Sequence, residues 1–357
     1  MDGLRRYYYT KVKLPQCRLK PILFFFGVLS VSVFVLYWAF IDFYASIDSL
    51  LISSDNDWQD SYLSMTSKNA VMIPEYIRYI APTVTLCGGI GNMMWRYASM
   101  YGLGRQLNRT PFFESSANCM KDAQKEALAT FPEYGKRMIF FAYNYLNTRK
   151  VDFGFHCCKT EKIDRLKDEK KKFLILGGYY FQDYHYFENV SSEIRFLFSW
   201  STAMRQKVDT FKKFLFGLDA SHKLCVHTRM GDFVKFNIHS KINFTEMALD
   251  YAYRTLQLIP RMYVPISMSR TEDMAFASIH CDSLLITAQA STFGWWIGYL
   301  MDSNWDRSRG SIFFNSNFKD DAPSDTYGFD NFPSHWIPLR LVPSKIVVED
   351  RLRPISE

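Results

Sequence analysis

Three short apolar runs in this chain each break into glycine or small polar residues and then into a helical pattern or its capping residues. That order of strand, turn and helix constrains the fold more than any other feature, because it belongs to α/β architectures built on parallel strands. The first run is Thr83-Val84-Thr85-Leu86-Cys87. It is followed by Gly88-Gly89-Ile90-Gly91-Asn92, and then by Met93, Met94, Tyr97, Ala98, Tyr101 and Leu107, mostly three and four apart. The second is Lys223-Leu224-Cys225-Val226, which ends in His227-Thr228-Arg229-Met230-Gly231-Asp232. The third is Ser283-Leu284-Leu285-Ile286-Thr287, which passes through Ala290-Ser291-Thr292-Phe293-Gly294 into Trp295 and Trp296. In open sheets of this kind ligands bind just beyond the carboxyl ends of the strands, where these polar residues fall.

The residue types at the turns suit an anion. Arg229 offers a planar five-donor fork matched to phosphate oxygens. Gly231 permits a tight turn, and Asp232 is short enough to bond nearby backbone or cap a helix. Ser291 and Thr292 stand at a helix N-terminus, where hydroxyls and unpaired N–H groups meet a partial positive charge. Gly89, Gly91 and Asn92 form a similar turn, although the third glycine of a dinucleotide fingerprint is absent. Each has a plainer reading as a glycine turn, a surface ion pair or a helix cap. For Ser291 and Thr292, capping is the commoner role.

Further strands are expected at Thr110–Phe113, Met138–Phe141, Phe173–Leu176 and Val264–Met268. Helices are expected over 202–215, capped by Ser201, and over 243–259. Another runs from the capping box Ser269-Arg270-Thr271-Glu272 to His280. Gly177-Gly178-Tyr179-Tyr180-Phe181-Gln182-Asp183-Tyr184 is aromatic enough to line a carbohydrate site, or to serve as core. Lys162–Lys172 mixes bases with acids and reads as a solvated loop or helix face.

The N-terminus sets the expected compartment. Six bases and one acid occupy residues 1–20, and Pro21–Ile41 carries no charge. At about 1.5 Å per residue, roughly 21 residues span about 31 Å, the thickness of a bilayer core. The run is too long and its far end too bulky for a cleaved signal peptide. Basic residues before it and acids after it predict a single-pass anchor with the body lumenal. The division expected is a cytoplasmic tail over 1–20, a transmembrane anchor over 21–43 and a stem over 44–80. Lobes follow over 81–200 and 201–345, with a C-terminal tail over 346–357. The net charge of +7 partly reflects the tail, and no basic stripe recurs to bind nucleic acid. Six cysteines lie beyond the anchor, with pairings too many for sequence to choose among; Cys87 and Cys225 read as small residues in buried strands. Asn108, Asn189 and Asn243 head N-glycosylation sequons.

Residues 88–103 (GGIGNMMWRYASMYGL), 226–234 (VHTRMGDFV) and 282–300 (DSLLITAQASTFGWWIGYL), in that order, resemble the inverting α-1,2-fucosyltransferases, the galactoside 2-α-L-fucosyltransferase family. The segment 178–198 (GYYFQDYHYFENVSSEIRFLF) is similar to the family's segment before the donor lobe. The resemblance implies a GT-B-like α/β fold, with two Rossmann-like lobes facing a cleft, behind one Golgi membrane anchor. It implies GDP-fucose as donor and a glycan, terminating in galactose, as acceptor, with no cofactor and no metal. Arg229 would hold the diphosphate beside Ser291 and Thr292. His227 and Asp232 would order that site, and Gly89, Gly91 and Asn92 would approach from the first lobe. The catalytic base is not assigned; Asp183, Glu188 and Asp232 are candidates. Asp55-Asn56-Asp57 falls in the stem and reads as a solvated acidic stretch.

The chain departs from the family pattern in three places. Met230 stands where a second Arg is usual, and Met93 where Gln is usual. Between His227 and Ser291 the chain is short by one βα unit of roughly 30 residues. A trimmed donor lobe leaves a second reading open: a weak or inactive membrane-anchored homologue that binds glycans or a partner.

Overall fold

Parallel strands buried on both faces read as unbroken apolar runs, and the two sheets follow that rule. The computed structural model describes residues 77–143, 145–155, 158–259, 261–265, 268–301, 310–318 and 328–350. The first sheet is wholly parallel, in the order β2-β1-β6-β5: β1 (Tyr79–Pro82), β2 (Thr110–Pro111), β5 (Thr148–Val151) and β6 (Phe173–Leu176). Every residue of β1 and β6 is buried. β3 (Phe113–Glu114) and β4 (Phe140–Phe141) form a separate parallel pair. The second sheet runs β7 (Leu224–His227), β8 (Ser283–Ile286), β9 (Ile312–Asn315), β10 (Ile337–Val342), β11 (Lys345–Val348). Only the last pair is antiparallel. The protein is therefore α/β.

The first strand falls earlier than its composition predicts. Tyr79–Pro82 takes the central place, and the run 83–87 is a loop. Thr83 N still donates to Leu176 O, at 2.8 Å. The carbonyls of Leu86 and Cys87 then turn to the guanidinium of Arg96, at 2.6 and 3.5 Å. Cys87 is not a buried strand residue; it is exposed and disulfide-bonded to Cys119, with the Cα atoms 5.8 Å apart. Cys225 of β7 is joined to Cys281 across the same Cα separation, 5.8 Å.

The helices follow the apolar spacing. α1 (Ile90–Leu107) starts at Gly89, and α6 (Thr202–Phe216) is capped by Ser201, whose Oγ accepts from Met204 N. Between them lie α2 (Asn118–Thr130), α3 (Pro132–Arg137), α4 (Asp164–Lys167) and α5 (Ser191–Leu197). α7 (Ile242–Thr255) precedes α8 (Arg270–His280), which opens on the expected capping box, and α9 is Thr292–Met301. Val264 and Pro265 are not in a strand, and no strand or helix occurs between α7 and α8 among the described residues. β7 consequently has β8 as its one neighbour there and is partly exposed along its length. Residues 346–348, expected as tail, continue the sheet, and Glu349 is buried against Ser316 and Arg340.

The chain divides into Met1–Ile73, outside the described residues, and Pro74–Glu357, which holds both sheets. The tail, the anchor, the Asp-x-Asp stretch and the stem up to residue 76 also lie outside the described residues. Among those described, no helix is long and apolar enough to cross a membrane. The first sheet packs Ile80, Leu174 and Leu176 against Met100, Leu103 and Leu107 of α1, and a second apolar core joins the other face of α1 to α9 and the second sheet. It gathers Trp95 of α1, Phe187, Trp295 and Trp296 of α9, Ile286, Phe314 and Trp336. Trp95 and Trp295 lie 4.2 Å apart between ring centroids, and Trp296 Nε1 donates to Gly91 O at 3.0 Å.

Candidate functional site

The carboxyl end of β7 is fixed before any ligand arrives. Thr287 Oγ1 donates to His227 O at 2.8 Å and lies 2.6 Å from Ser240 Oγ, which accepts from Arg229 N at 2.7 Å. Ser240 N returns a bond to Arg229 O, at 2.8 Å. Thr287 and Ser240 are buried, and neither was legible as a site residue, because a lone Ser or Thr carries no spacing signal.

His227 Nε2 lies 2.8 Å from Ser291 Oγ, which also accepts from Gly294 N at 3.3 Å. A Cβ on Gly294 would stand 2.5 Å from His227 Cδ2, so glycine is what lets the imidazole reach the helix start. Burial, and after it the charge of Arg229, holds the His227 pKa down to about 4. The ring is neutral at physiological pH and suits the Ser291 hydroxyl proton as an acceptor. Ser291 is thus the N-cap of α9 and the seat of His227, with its hydroxyl already engaged.

Arg229 is poised differently. Its guanidinium donates to Asp232 Oδ1 at 2.7 Å and lies over the Phe233 ring at 4.7 Å. Its Nε is buried and has no hydrogen-bond partner among the described residues. A buried donor without a partner is costly, and an anion would satisfy it. Met230 beside it is exposed, so the position of the missing second Arg faces solvent.

The glycine turn meets the same helix from the first sheet. A Cβ on Gly91 would stand 2.7 Å from Thr292 Oγ1 and 3.0 Å from Phe293 N. Gly88 has φ +71° and folds over Asn92, whose Oδ1 accepts from Gln182 Nε2 at 2.9 Å. Gly89 is open to solvent. The structure therefore brings together Gly91 with Thr292, Asn92 with Gln182, His227 with Ser291, and Arg229 with Asp232.

The three candidate acids differ sharply. Asp232 is tied to Arg229, and Glu188 is exposed in a short helical turn. Asp183 is buried; its Oδ1 accepts from His185 N at 3.1 Å and sits 2.6 Å from His185 Nδ1, while Oδ2 has no partner among the described residues. Arg96 was missed by sequence reasoning. It is fully buried and binds Tyr179 O, at 3.2 and 3.3 Å, as well as the Leu86 and Cys87 carbonyls. Burial lowers its pKa to about 10, which leaves it charged at neutral pH. Among the described residues no group of three or more His, Cys, Asp or Glu is placed to share a metal ion.

No protein-family profile matches the chain. Individual proteins do. A galactoside 2-alpha-L-fucosyltransferase of Caenorhabditis elegans is 29% identical over 264 residues, covering 65% of this chain and 72% of that protein. Another of the same name and organism is 22% identical over 306 residues, covering 71% and 75%. Among solved structures, a mutant of Arabidopsis thaliana FUT1 in complex with GDP is 11% identical, covers 77% of this chain and 79% of its own, and has a TM-score of 0.45. The curated relatives make the chain similar to fucosyltransferases. It is a homologue of the galactoside 2-alpha-L-fucosyltransferases.

Proposed function

We propose that the chain transfers L-fucose from GDP-fucose to a glycan hydroxyl, the 2-hydroxyl of a terminal galactose, with inversion and without a metal ion. The observation that carries this reading is Arg229, held by Asp232 with a buried, unpartnered Nε just past a strand end. Fucosyl transfer builds positive charge on the sugar and negative charge on the departing diphosphate. A fixed guanidinium beside a helix N-terminus stabilises the diphosphate without reorganising. The N-terminus of α9 at Thr292, and the turn at Gly89, Gly91 and Asn92, would complete the donor site, with His227 and Ser291 holding its floor. Asp183, coupled to His185, suits the acceptor proton better than Asp232 or Glu188. The two sheets are read as the lobes of a GT-B-like fold, with the acceptor on the first and the donor on the second. Anchoring in the Golgi membrane with the body lumenal is supported by the disulfides Cys87–Cys119 and Cys225–Cys281 and by the exposure of Asn108, Asn189 and Asn243.

Titration calorimetry with GDP tests the donor site. Arg229→Ala should weaken binding by about tenfold to a hundredfold, from the loss of a charge-assisted contact. Unchanged affinity in a folded variant would make Arg229 structural. Met230→Arg, at an exposed position, should tighten binding if it supplies the missing charge.

A second reading is favoured by one observation: β7 has no described neighbour on its outer side. A missing unit there would remove part of the wall beside the base, because ligands lie at the ends of adjacent strands. The protein would then bind GDP and UDP comparably and turn over slowly. Robust GDP-fucose consumption with galactose-terminated acceptors would exclude it.

A further inference from the structure

A cavity of about 570 Å³ opens at the carboxyl end of the first sheet, away from the residues assigned to the donor. Thr83, Thr85, Asp152, Phe155, Gly177 and Tyr179 contribute to its lining. The volume falls in the range of small-ligand sites, roughly 300–1,000 Å³. Two aromatic rings form one wall. Phe155 and Tyr179 meet edge to face, 5.4 Å between centroids at 87°, and both remain exposed.

Glycines shape that wall. Gly154 has φ +77°, and a Cβ there would stand 2.6 Å from the Phe181 ring. A Cβ on Gly178 would stand 2.4 Å from the carbonyls of Phe153 and Gly154, and one on Gly177 would stand 3.1 Å from the Phe155 ring. Gly178, against backbone, and Gly154, with its positive φ, therefore need glycine for Phe155 to sit over the end of β6, and a side chain at Gly177 would displace the Phe155 ring. Arg96 holds the backbone that carries the other ring through Tyr179 O. The two rings leave apolar surface facing the cavity.

The polar groups decide the ligand class. Thr85 and Asp152 have side chains without hydrogen-bond partners among the described residues, and both are exposed. The two cations at the rim are already engaged: Lys150 lies over the Tyr145 ring at 5.5 Å, and Arg149 is 3.9 Å from Glu169. The Asp152 side chain in the lining would oppose a phosphate. A neutral pyranose fits, with its C–H face on an aromatic ring and its hydroxyls toward Thr85 and Asp152.

We propose that this cavity is a saccharide subsite that seats a hexose of the acceptor glycan against Tyr179 and Phe155. The proposal rests on the reading of the chain as a glycan-modifying transferase. The probe is lactose, followed by saturation-transfer NMR on the full-length protein in detergent, with GDP titrated in parallel. Tyr179→Ala and Phe155→Ala should each weaken lactose by roughly tenfold, the worth of one stacked ring, with GDP unaffected. Tyr179→Phe keeps the ring and should bind lactose nearly as the parent does. Gly177→Ala should also weaken lactose, by displacing Phe155. Unaltered lactose affinity in a folded Tyr179→Ala variant, or no lactose binding by the parent, overturns the subsite. Ring-dependent lactose binding without GDP binding would uphold the subsite and sink the transferase reading; GDP binding without lactose binding would do the reverse.

Discussion

His227 is a neutral imidazole wedged between Gly294 and Ser291, and acid finds it at a disadvantage. Its pKa is 6.5 when free and about 4 when folded, so below 6.5 the unfolded chain takes up a proton that the folded chain refuses. Stability is full above that value and is lost as pH falls toward 4. Urea unfolding between pH 7 and pH 4.5 should show this loss, and His227→Asn should flatten it. An equal slope in the variant would mean that other groups carry the effect. Arg96 offers a second test. Removing it leaves the Leu86, Cys87 and Tyr179 carbonyls without their partner, so Arg96→Ala should cost on the order of 3 kcal/mol or more in denaturant unfolding. A change below about 1 kcal/mol would show that water replaces it. Arg229, His227 and Asp232 were legible because they share one heptapeptide at a strand end. Arg96, Ser240 and Thr287 were not, because their partners lie in other elements of the fold.

The strands of the second sheet show what a sequence pattern can and cannot carry. Leu224–His227 and Ser283–Ile286 were readable, since each joins an apolar run to a turn with its own chemistry. The central strand of the first sheet was not: Tyr79–Pro82 is a weaker β-former than 83–87. It wins because β2 and β6 pair with it on both sides, while Arg96 and Cys119 draw the later run away. Among the described residues β7 has one neighbouring strand, and the Cys225–Cys281 bond, across a sequence separation of 56, ties it down besides that pairing and the bonds of His227. Replacing both cysteines by alanine should lower stability by about 2–4 kcal/mol and expose an edge prone to pairing with other chains. Chemical denaturation and sedimentation at rising concentration would register the two effects. A variant as stable and monomeric as its parent would show that β8 alone suffices.

The whole molecule holds more structure at its C-terminal end than its motifs announce. β9, β10 and β11 complete the second sheet from a region without a recognisable turn signature, and Trp336 from the same region enters the common core. The proposed orientation has a direct readout. If the body is lumenal, Asn189 and Asn243 should carry glycans in cells, and an endoglycosidase shift should disappear in the Asn189→Gln, Asn243→Gln double variant. A protein without glycans and accessible from the cytosol would reverse the topology. The indole of Trp296 bonded to Gly91 O, with Trp95 against Trp295, means that α1, which packs on the first sheet, is pinned to α9 of the second. Large apolar seams of this kind resist relative rotation. Nucleotide would then enter and leave past the loops that border its site, and the radius of gyration should be the same with and without GDP. Release would be timed by local loop opening, and the molecule would work at a fixed gape.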